Sequence, residues 1–175
     1  MASLLENLVS VLDEEDKEYQ KLIILADDKT PVIVRGDIDS LGKITEDEQE
    51  IVGRIQKLEK QRAKALADIA NVVNRDVTTL KLSNLIQMLE KMPDQQSRLV
   101  DVHERLKKTI DSLKTINTKN QMLIEDKLEM INFNLDMITA LKTAPQTANY
   151  SKDAYTSGDK LGVLYQNNGG FDAKQ

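Results

Sequence analysis

His103 is the only histidine among the 175 residues, and the chain contains no cysteine. A di-iron site in a helical bundle needs two Glu-x-x-His pairs, and an HExxH zinc site needs two histidines, so the sequence excludes both. Neither a histidine-based triad nor a glycine loop that cradles phosphate is recognisable. We therefore expect no enzyme, no bound metal and no cofactor, with His103 as a surface residue.

The other groups that could do chemistry are carboxylates. Asp and Glu number 29 against 24 Lys and Arg, which gives a net charge of −5. On a charged helical protein such carboxylates are usually solvated faces. Nucleic acid is not an expected partner, because phosphate binding needs clustered Lys and Arg. No apolar run approaches 18 residues and the N-terminus lacks a basic signal region, so we expect a cytoplasmic protein without membrane insertion.

The composition favours long helices: 40% of residues are hydrophobic, 3% are aromatic, and there are only seven Gly and three Pro. The longest predicted helix runs from Pro93 to Leu141. Its apolar residues recur every three or four positions, which is typical of a helix that presents one seam to partner helices. The predicted seam is Leu99, Val102, Leu106, Ile110, Leu113, Asn117, Asn120, Ile124, Leu128, Ile131, Leu135 and Ile138.

Two further long helices are predicted upstream, with an interruption between residues 29 and 40. Pro31 should end or kink the first helix near Thr30, and Gly36 is a further break. Asp37 or Asp39 could cap the second helix. The first seam is Leu5, Leu8, Leu12, Glu15, Tyr19, Leu22, Ala26, Lys29 and Ile33. The second is Leu41, Thr45, Glu48, Val52, Ile55, Glu59, Arg62, Leu66, Ile69 and Val73.

Both of these seams contain charged residues at matching positions. If the two helices pack antiparallel, the residue numbers of each facing pair add up to nearly the same total. The numbers of Lys29 and Glu48 add up to 77, and so do those of Glu15 and Arg62. One register would therefore pair both sets. Alternatively, each charge lies at a seam edge and reaches water through its stem.

The rest of the helical region contains a short predicted helix and a pair of asparagines for which two interpretations are open. Leu82, Leu85, Ile86 and Leu89 predict a short helix that Pro93 closes. Asn117 and Asn120 could form a polar layer that fixes register, or the seam could drift to Ile116 and Leu123 and leave both outside.

A second apolar stripe accompanies the seam in the last third of the long helix. Either this helix packs against both long partners and needs a broad face, or the stripe is a groove for the amphipathic helix of a client protein, for which flexible Met is suited. The stripe consists of Met122, Met130, Phe133, Met137 and Leu141.

From Ala144 the chain is rich in Asn, Gln, Ser, Thr and Gly. Such a segment cannot bury enough surface to order itself. It is either an idle terminus or a binding segment anchored by Tyr150, Tyr155 and Tyr165.

Taken together, these patterns predict an all-α protein. It consists of an antiparallel bundle of three long helices with one short helix, over residues 1–143, and a flexible C-terminal tail over 144–175.

Several of these residues resemble one family. The run of Glu15, Tyr19, Leu22, Leu25 and Lys29 is similar to the start of the flagellar export chaperone FlgN family. The continuation from Ile33 to Arg62, with Gly36-Asp37, Leu41, Glu48-Gln49, Leu58-Glu59 and Arg62, is similar too, as are the segment TTLKLSNLIQML and the long final helix with its polar tail.

The resemblance implies a cytoplasmic chaperone that is not an enzyme. It would cover the C-terminal helices of the hook–filament junction proteins FlgK and FlgL and deliver them to the export gate and its ATPase complex. Client binding would fall on the late long helix and the tail, where Leu161, Val163 and Leu164 are the apolar candidates. Tyr150 best fits a contact with the export gate, but Ala154 departs from an expected glycine, so Tyr155, with Gly158 behind it, is an alternative. The other function that the sequence allows is a self-associating coiled-coil adaptor or structural protein.

Overall fold

The computed structural model describes residues 2–76 and 80–143. These ranges contain four helices and no strand: α1 (Ala2–Arg35), α2 (Ile38–Val72), α3 (Leu82–Met88) and α4 (Pro93–Thr143). The all-α class, with three long helices and one short one, is therefore confirmed. The predicted tail lies outside the described residues, and the domain boundary at residue 143 stays a prediction. The described residues divide into two units, the first ending at Met130 and the second beginning at Ile131.

A two-residue turn separates α1 from α2, within the interval predicted for the interruption. Gly36 has a φ of 72°, which side chains other than glycine rarely adopt. Its N–H donates to the carbonyl of Ile33, and the N–H of Asp37 donates to that of Val32, as in a Schellman motif. Asp37 then caps α2 by accepting a hydrogen bond from the N–H of Ser40 at 3.0 Å.

Of the two effects predicted for Pro31, an end of the helix near Thr30 does not occur, because α1 continues through Pro31 to Arg35. A proline inside a helix removes the hydrogen bond to the carbonyl four residues earlier, here that of Asp27. Asp27 and Pro31 are both exposed, so water can bond to that carbonyl. Val32 and Ile33 directly after the proline are buried, and their packing holds the following turn in place.

Two clusters of buried apolar residues lie between the helices of the first unit. The larger contains residues from α1, α2, the region of α3, and the start of α4: Leu5, Leu8, Leu12, Ala65, Ile69, Ala70, Leu80, Leu85, Leu89, Leu99, Val102 and Leu106. The smaller contains Leu22, Ala26, Ile51, Ile55 and Leu113. Leu85 is the buried residue of α3, which therefore closes the larger cluster.

The paired register of α1 and α2 is confirmed. The Nη1 atom of Arg62 lies 2.7 Å from Oε2 of Glu15, and Lys29 pairs with Glu48. Because the residue numbers of both pairs have the same sum, α1 and α2 run in opposite directions. Part of the predicted α2 seam is displaced by one residue. The predicted seam residues were Val52, Glu59 and Leu66, whereas the buried residues are their neighbours Ile51, Leu58 and Ala65.

Polar contacts join α1 to α4. The buried carboxylate of Asp16 accepts hydrogen bonds from Nε of Arg105 at 2.9 Å and from Oγ1 of Thr109 at 2.6 Å. Arg105 also pairs with Asp13. Contacting residues in these two helices differ in number by 89 to 94, a nearly constant offset, so α1 and α4 run in the same direction along this contact.

Candidate functional site

The side chains in the described ranges include no group of three or more His, Cys, Asp or Glu arranged to hold a metal ion. Across those same residues, no helix has the length and apolar character needed to cross a membrane. His103 is partly exposed, with Nδ1 at 3.7 Å from Oε1 of Glu104. The arrangement that needs an explanation is instead the apolar surface of α4.

The first part of α4, residues 93–120 (early α4), is held in the core. Leu99, Val102, Leu106 and Leu113 are all buried. The last buried residue along the described part of this helix is Asn120, which is 3% exposed. Early α4 therefore follows the predicted seam.

Asn120 joins α4 to α1 by two hydrogen bonds. Its Nδ2 donates to the carbonyl of Ala26 at 2.7 Å, and its Oδ1 accepts from Oγ1 of Thr30 at 2.7 Å. Asn117 is exposed. Of the two interpretations of these asparagines, a polar layer is thus correct for Asn120, while Asn117 lies outside it.

The remainder of the helix, residues 121–143 (late α4), contains no buried residue. In the first unit Leu128 is 54% exposed, so its assignment to the core is wrong. The reason is the length of the partner helices. The offset between α1 and α4 places Arg35, where α1 ends, level with about residues 124–129 of α4, and α2 begins only after the turn that follows. Leu128 therefore lies level with the last residues of α1 and the turn that follows, where few residues are available to cover it.

Two methionines of the first unit are also exposed, and they lie near Leu128 in the sequence. Met122 and Met130 both have half or more of their surface in water. Ile124 has about a third of its surface exposed and lines an open groove of about 440 Å³ with Val52 of α2 and Leu113. From Met122 onward the apolar residues of α4 in this unit are therefore exposed, except for Leu123, which is partly buried.

In the second unit every described residue, from 131 to 143, is exposed. Its large apolar side chains form two rows at helical spacing, each with about half or more of its surface in water. One row is Ile131, Leu135 and Ile138, and the other is Phe133, Met137 and Leu141.

The two rows lie on different sides of the helix. At about 100° per residue, the row of Ile131 and the row of Phe133 are centred well over 90° apart, and polar residues such as Asn132 and Asp136 fill the opposite sector. Apolar rows on a helix are normally buried against another element. The described chain leaves these two rows exposed, and exposed apolar patches are candidates for binding a partner.

The sequence predictions for this surface have mixed outcomes. Met122 and Met130 are exposed in the first unit, and Phe133, Met137 and Leu141 are exposed in the second. Their role in binding a client stays a prediction. The exposed seam residues Ile124, Leu128, Ile131, Leu135 and Ile138 were missed as surface residues because the same periodicity assigned them to the core. Tyr150, Tyr155, Leu161, Val163 and Leu164 lie outside the described residues.

Comparison with known proteins agrees with the resemblance in the sequence. The family model described as FlgN protein matches residues 1–158. The chain is also 22% identical over 134 residues to the uncharacterized protein YvyG of Bacillus subtilis (strain 168), covering 77% of this chain and 78% of the relative. No solved structure matches the chain. Because the family model covers most of its length, the chain belongs to the FlgN protein family of flagellar export chaperones.

Proposed function

We propose that this protein is a cytoplasmic chaperone that binds the C-terminal helices of the hook–filament junction proteins FlgK and FlgL before their export. The observation that carries the proposal is the exposed apolar surface of late α4. Family membership supplies the chaperone class, and the exposed surface supplies a place where a client helix could bind.

The fold that we infer for the first unit is an antiparallel bundle in which α1 and early α4 run one way and α2 runs the other. The constant number sum between α1 and α2 supports this inference, as does the nearly constant offset between α1 and α4. Such a bundle would hold early α4 rigidly, so a client could bind late α4 without opening the core.

The chemistry of late α4 fits a client that is itself an amphipathic helix. Met130 and Met137 have flexible, polarizable side chains that can adapt to more than one partner surface. The two rows of the second unit lie on different sides of the helix, whereas one packed helix covers only a single stripe. We therefore propose that a client covers late α4 with more than one helical segment.

The test is titration calorimetry of the full chain with the C-terminal segment of a FlgK-like protein from the same cell. Met130→Gln together with Met137→Gln should weaken binding at least roughly tenfold, because two polar amides replace apolar contacts. The matched control is Met88→Gln with Met92→Gln, since these methionines are exposed to a similar degree elsewhere in the chain. The control should bind as wild type does.

Equal binding by both double variants would remove late α4 from the proposal. Sedimentation of the chain without client tests the other candidate function, a self-associating adaptor, because an adaptor would bury late α4 in a homodimer. A dimer that the Met130→Gln and Met137→Gln changes dissociate would favour the adaptor over the chaperone.

Delivery of the client is a separate part of the proposal and depends on the tail. We expect Tyr150→Ala, or Tyr155→Ala if that residue is the anchor, to leave the melting temperature unchanged and to reduce docking to the export gate and its ATPase complex. A chain truncated after Thr143 should keep its helical content and lose delivery. Normal secretion of FlgK-like and FlgL-like clients by the truncated chain would show that the tail is an idle terminus.

A further inference from the structure

An open groove of about 590 Å³ lies along α1 and α2, and no residue of α4 lines it. Four of the residues that line it are cations, Lys17, Lys21, Arg54 and Lys57, in a chain whose net charge is −5. Two of the lining residues are carboxylates. The groove is therefore locally positive on an acidic protein.

One pair of these cations already binds a carboxylate. Glu18 accepts from Nζ of Lys21 at 2.5 Å and from Nε of Arg54 at 2.9 Å. Burial opposes ionisation of Glu18, but the hydrogen bonds from Lys21 and Arg54 outweigh it and lower its pKa. A carboxylate placed between α1 and α2 is thus well accommodated.

The second pair lies about one helical turn further along the groove. Because α1 and α2 are antiparallel, Lys17 precedes Lys21 by four residues on one wall while Lys57 follows Arg54 by three on the other. Both side chains are exposed, and neither forms an ion pair within the part of the chain that the structure describes. Glu14, which also lines the groove, lies three residues before Lys17, as Glu18 lies before Lys21. It forms no ion pair within the described residues, so this end of the groove carries two cations against one carboxylate.

The groove also offers an apolar surface, on the side of Lys21 and Arg54 that is away from Lys17. Ile24 lines the groove and is 61% exposed, and Leu58 forms a buried part of the lining. Ile24 and Lys17 are seven residues apart on α1, which is about 10 Å along the helix axis. That spacing equals two turns of a second helix placed in the groove.

We propose that this groove docks an acidic amphipathic helix of a partner protein. An apolar residue of that helix would pack on Ile24, and a carboxylate seven positions away would lie between Lys17 and Lys57. Charge complementarity carries the choice of partner, because the cations attract an acidic helix and repel a basic one. This site does not depend on late α4 or on the proposed client.

The test uses a labelled synthetic helix of about 21 residues with Leu at one position and Glu seven positions later, and fluorescence anisotropy with the full chain. Lys17→Glu together with Lys57→Glu should weaken binding at least roughly tenfold, since charge reversal places like charges against the peptide. Lys60→Glu together with Lys119→Glu changes the net charge equally at exposed lysines outside the groove, and it should bind as wild type does.

Four results would count against the proposal. Equal weakening by both double variants would reduce the effect to net charge, and equal binding of a peptide with Gln in place of Glu would remove the role of the carboxylate. Dimerisation of the wild-type chain that Lys17→Glu with Lys57→Glu abolishes would make a second copy the occupant. The variant Ile24→Asn should weaken binding while circular dichroism shows an unchanged fold, and normal binding by it would exclude the apolar contact.

Discussion

Early and late α4 have the same apolar spacing and very different surroundings. Leu99, Val102 and Leu106 in early α4 are buried in a cluster with residues of α1, α2 and the α3 region. Ile131 and Leu135 in late α4 repeat the same spacing, and about half of each side chain is in water. Helical periodicity thus shows that a face is apolar, but it does not show whether the residues that cover it belong to the same chain.

The last contact that secures α4 to α1 marks the change between these two regions. Asn120 is hydrogen-bonded to α1, and α1 itself ends at Arg35. Leu99, Leu106 and Leu113 before Asn120 are buried, whereas Leu128 after it is 54% exposed. By the offset between the two helices, Leu128 lies level with the last residues of α1 and the turn at Gly36, where few residues are available to cover it.

The largest expected difference is between Leu106→Ala and Leu128→Ala. Leu106 is 4% exposed, so its truncation should lower the free energy of unfolding by about 2–5 kcal/mol. Leu128→Ala should lower it by less than about 0.5 kcal/mol, because an exposed side chain leaves no cavity. Urea unfolding of both variants is the measurement. Similar losses in the two would mean that Leu128 has a partner in the free chain.

A smaller difference is expected between the two asparagines. Asn120→Ala removes two buried hydrogen bonds and should lower the free energy of unfolding by about 1–3 kcal/mol. Asn117→Ala, three residues away and exposed, should change it by less than about 0.5 kcal/mol. Thermal melts with calorimetric enthalpies measure both. If Asn117→Ala costs as much as Asn120→Ala, the polar layer includes both residues.

The residue spacing predicted much of the first unit. The α1 seam and the number sum of 77 gave the register of α1 on α2, because charges at seam positions leave few ways to pair. The alternative that α1 ends at Thr30 was wrong, since the packing of Val32 and Ile33 outweighs one lost hydrogen bond at Pro31. The exposed seam of late α4 was not predictable, because its apolar spacing is the same as that of the buried early part and does not show whether a partner covers it.

The smallest expected effect concerns pH and the buried Glu15. Its Oε2 pairs with Arg62, and its buried Oε1 has no hydrogen-bond partner among the described residues. Burial raises the pKa of Glu15 above its usual value of 4.5, against the opposing effect of Arg62. A raised native pKa contributes stability below the unfolded pKa, and this is lost as pH rises through the native value.

The stability of the wild type relative to Glu15→Gln should therefore fall as the pH rises above 4.5. Urea unfolding of both proteins over a pH series measures this difference. Glu14→Gln removes a neighbouring exposed carboxylate and controls for the change in net charge. A relative stability that increases with pH would show that the ion pair with Arg62 outweighs the cost of burial.

We propose that late α4 is covered only when a client is bound. Hydrogen–deuterium exchange tests this proposal most directly. Amides of an exposed helical segment open locally at little cost, so those of residues 131–143 should exchange fast in the free chain. Adding a saturating C-terminal segment of a FlgK-like protein should slow exchange in residues 131–143 and leave residues 99–113 unchanged. Unchanged exchange in residues 131–143, with protection appearing elsewhere in the chain, would contradict the account.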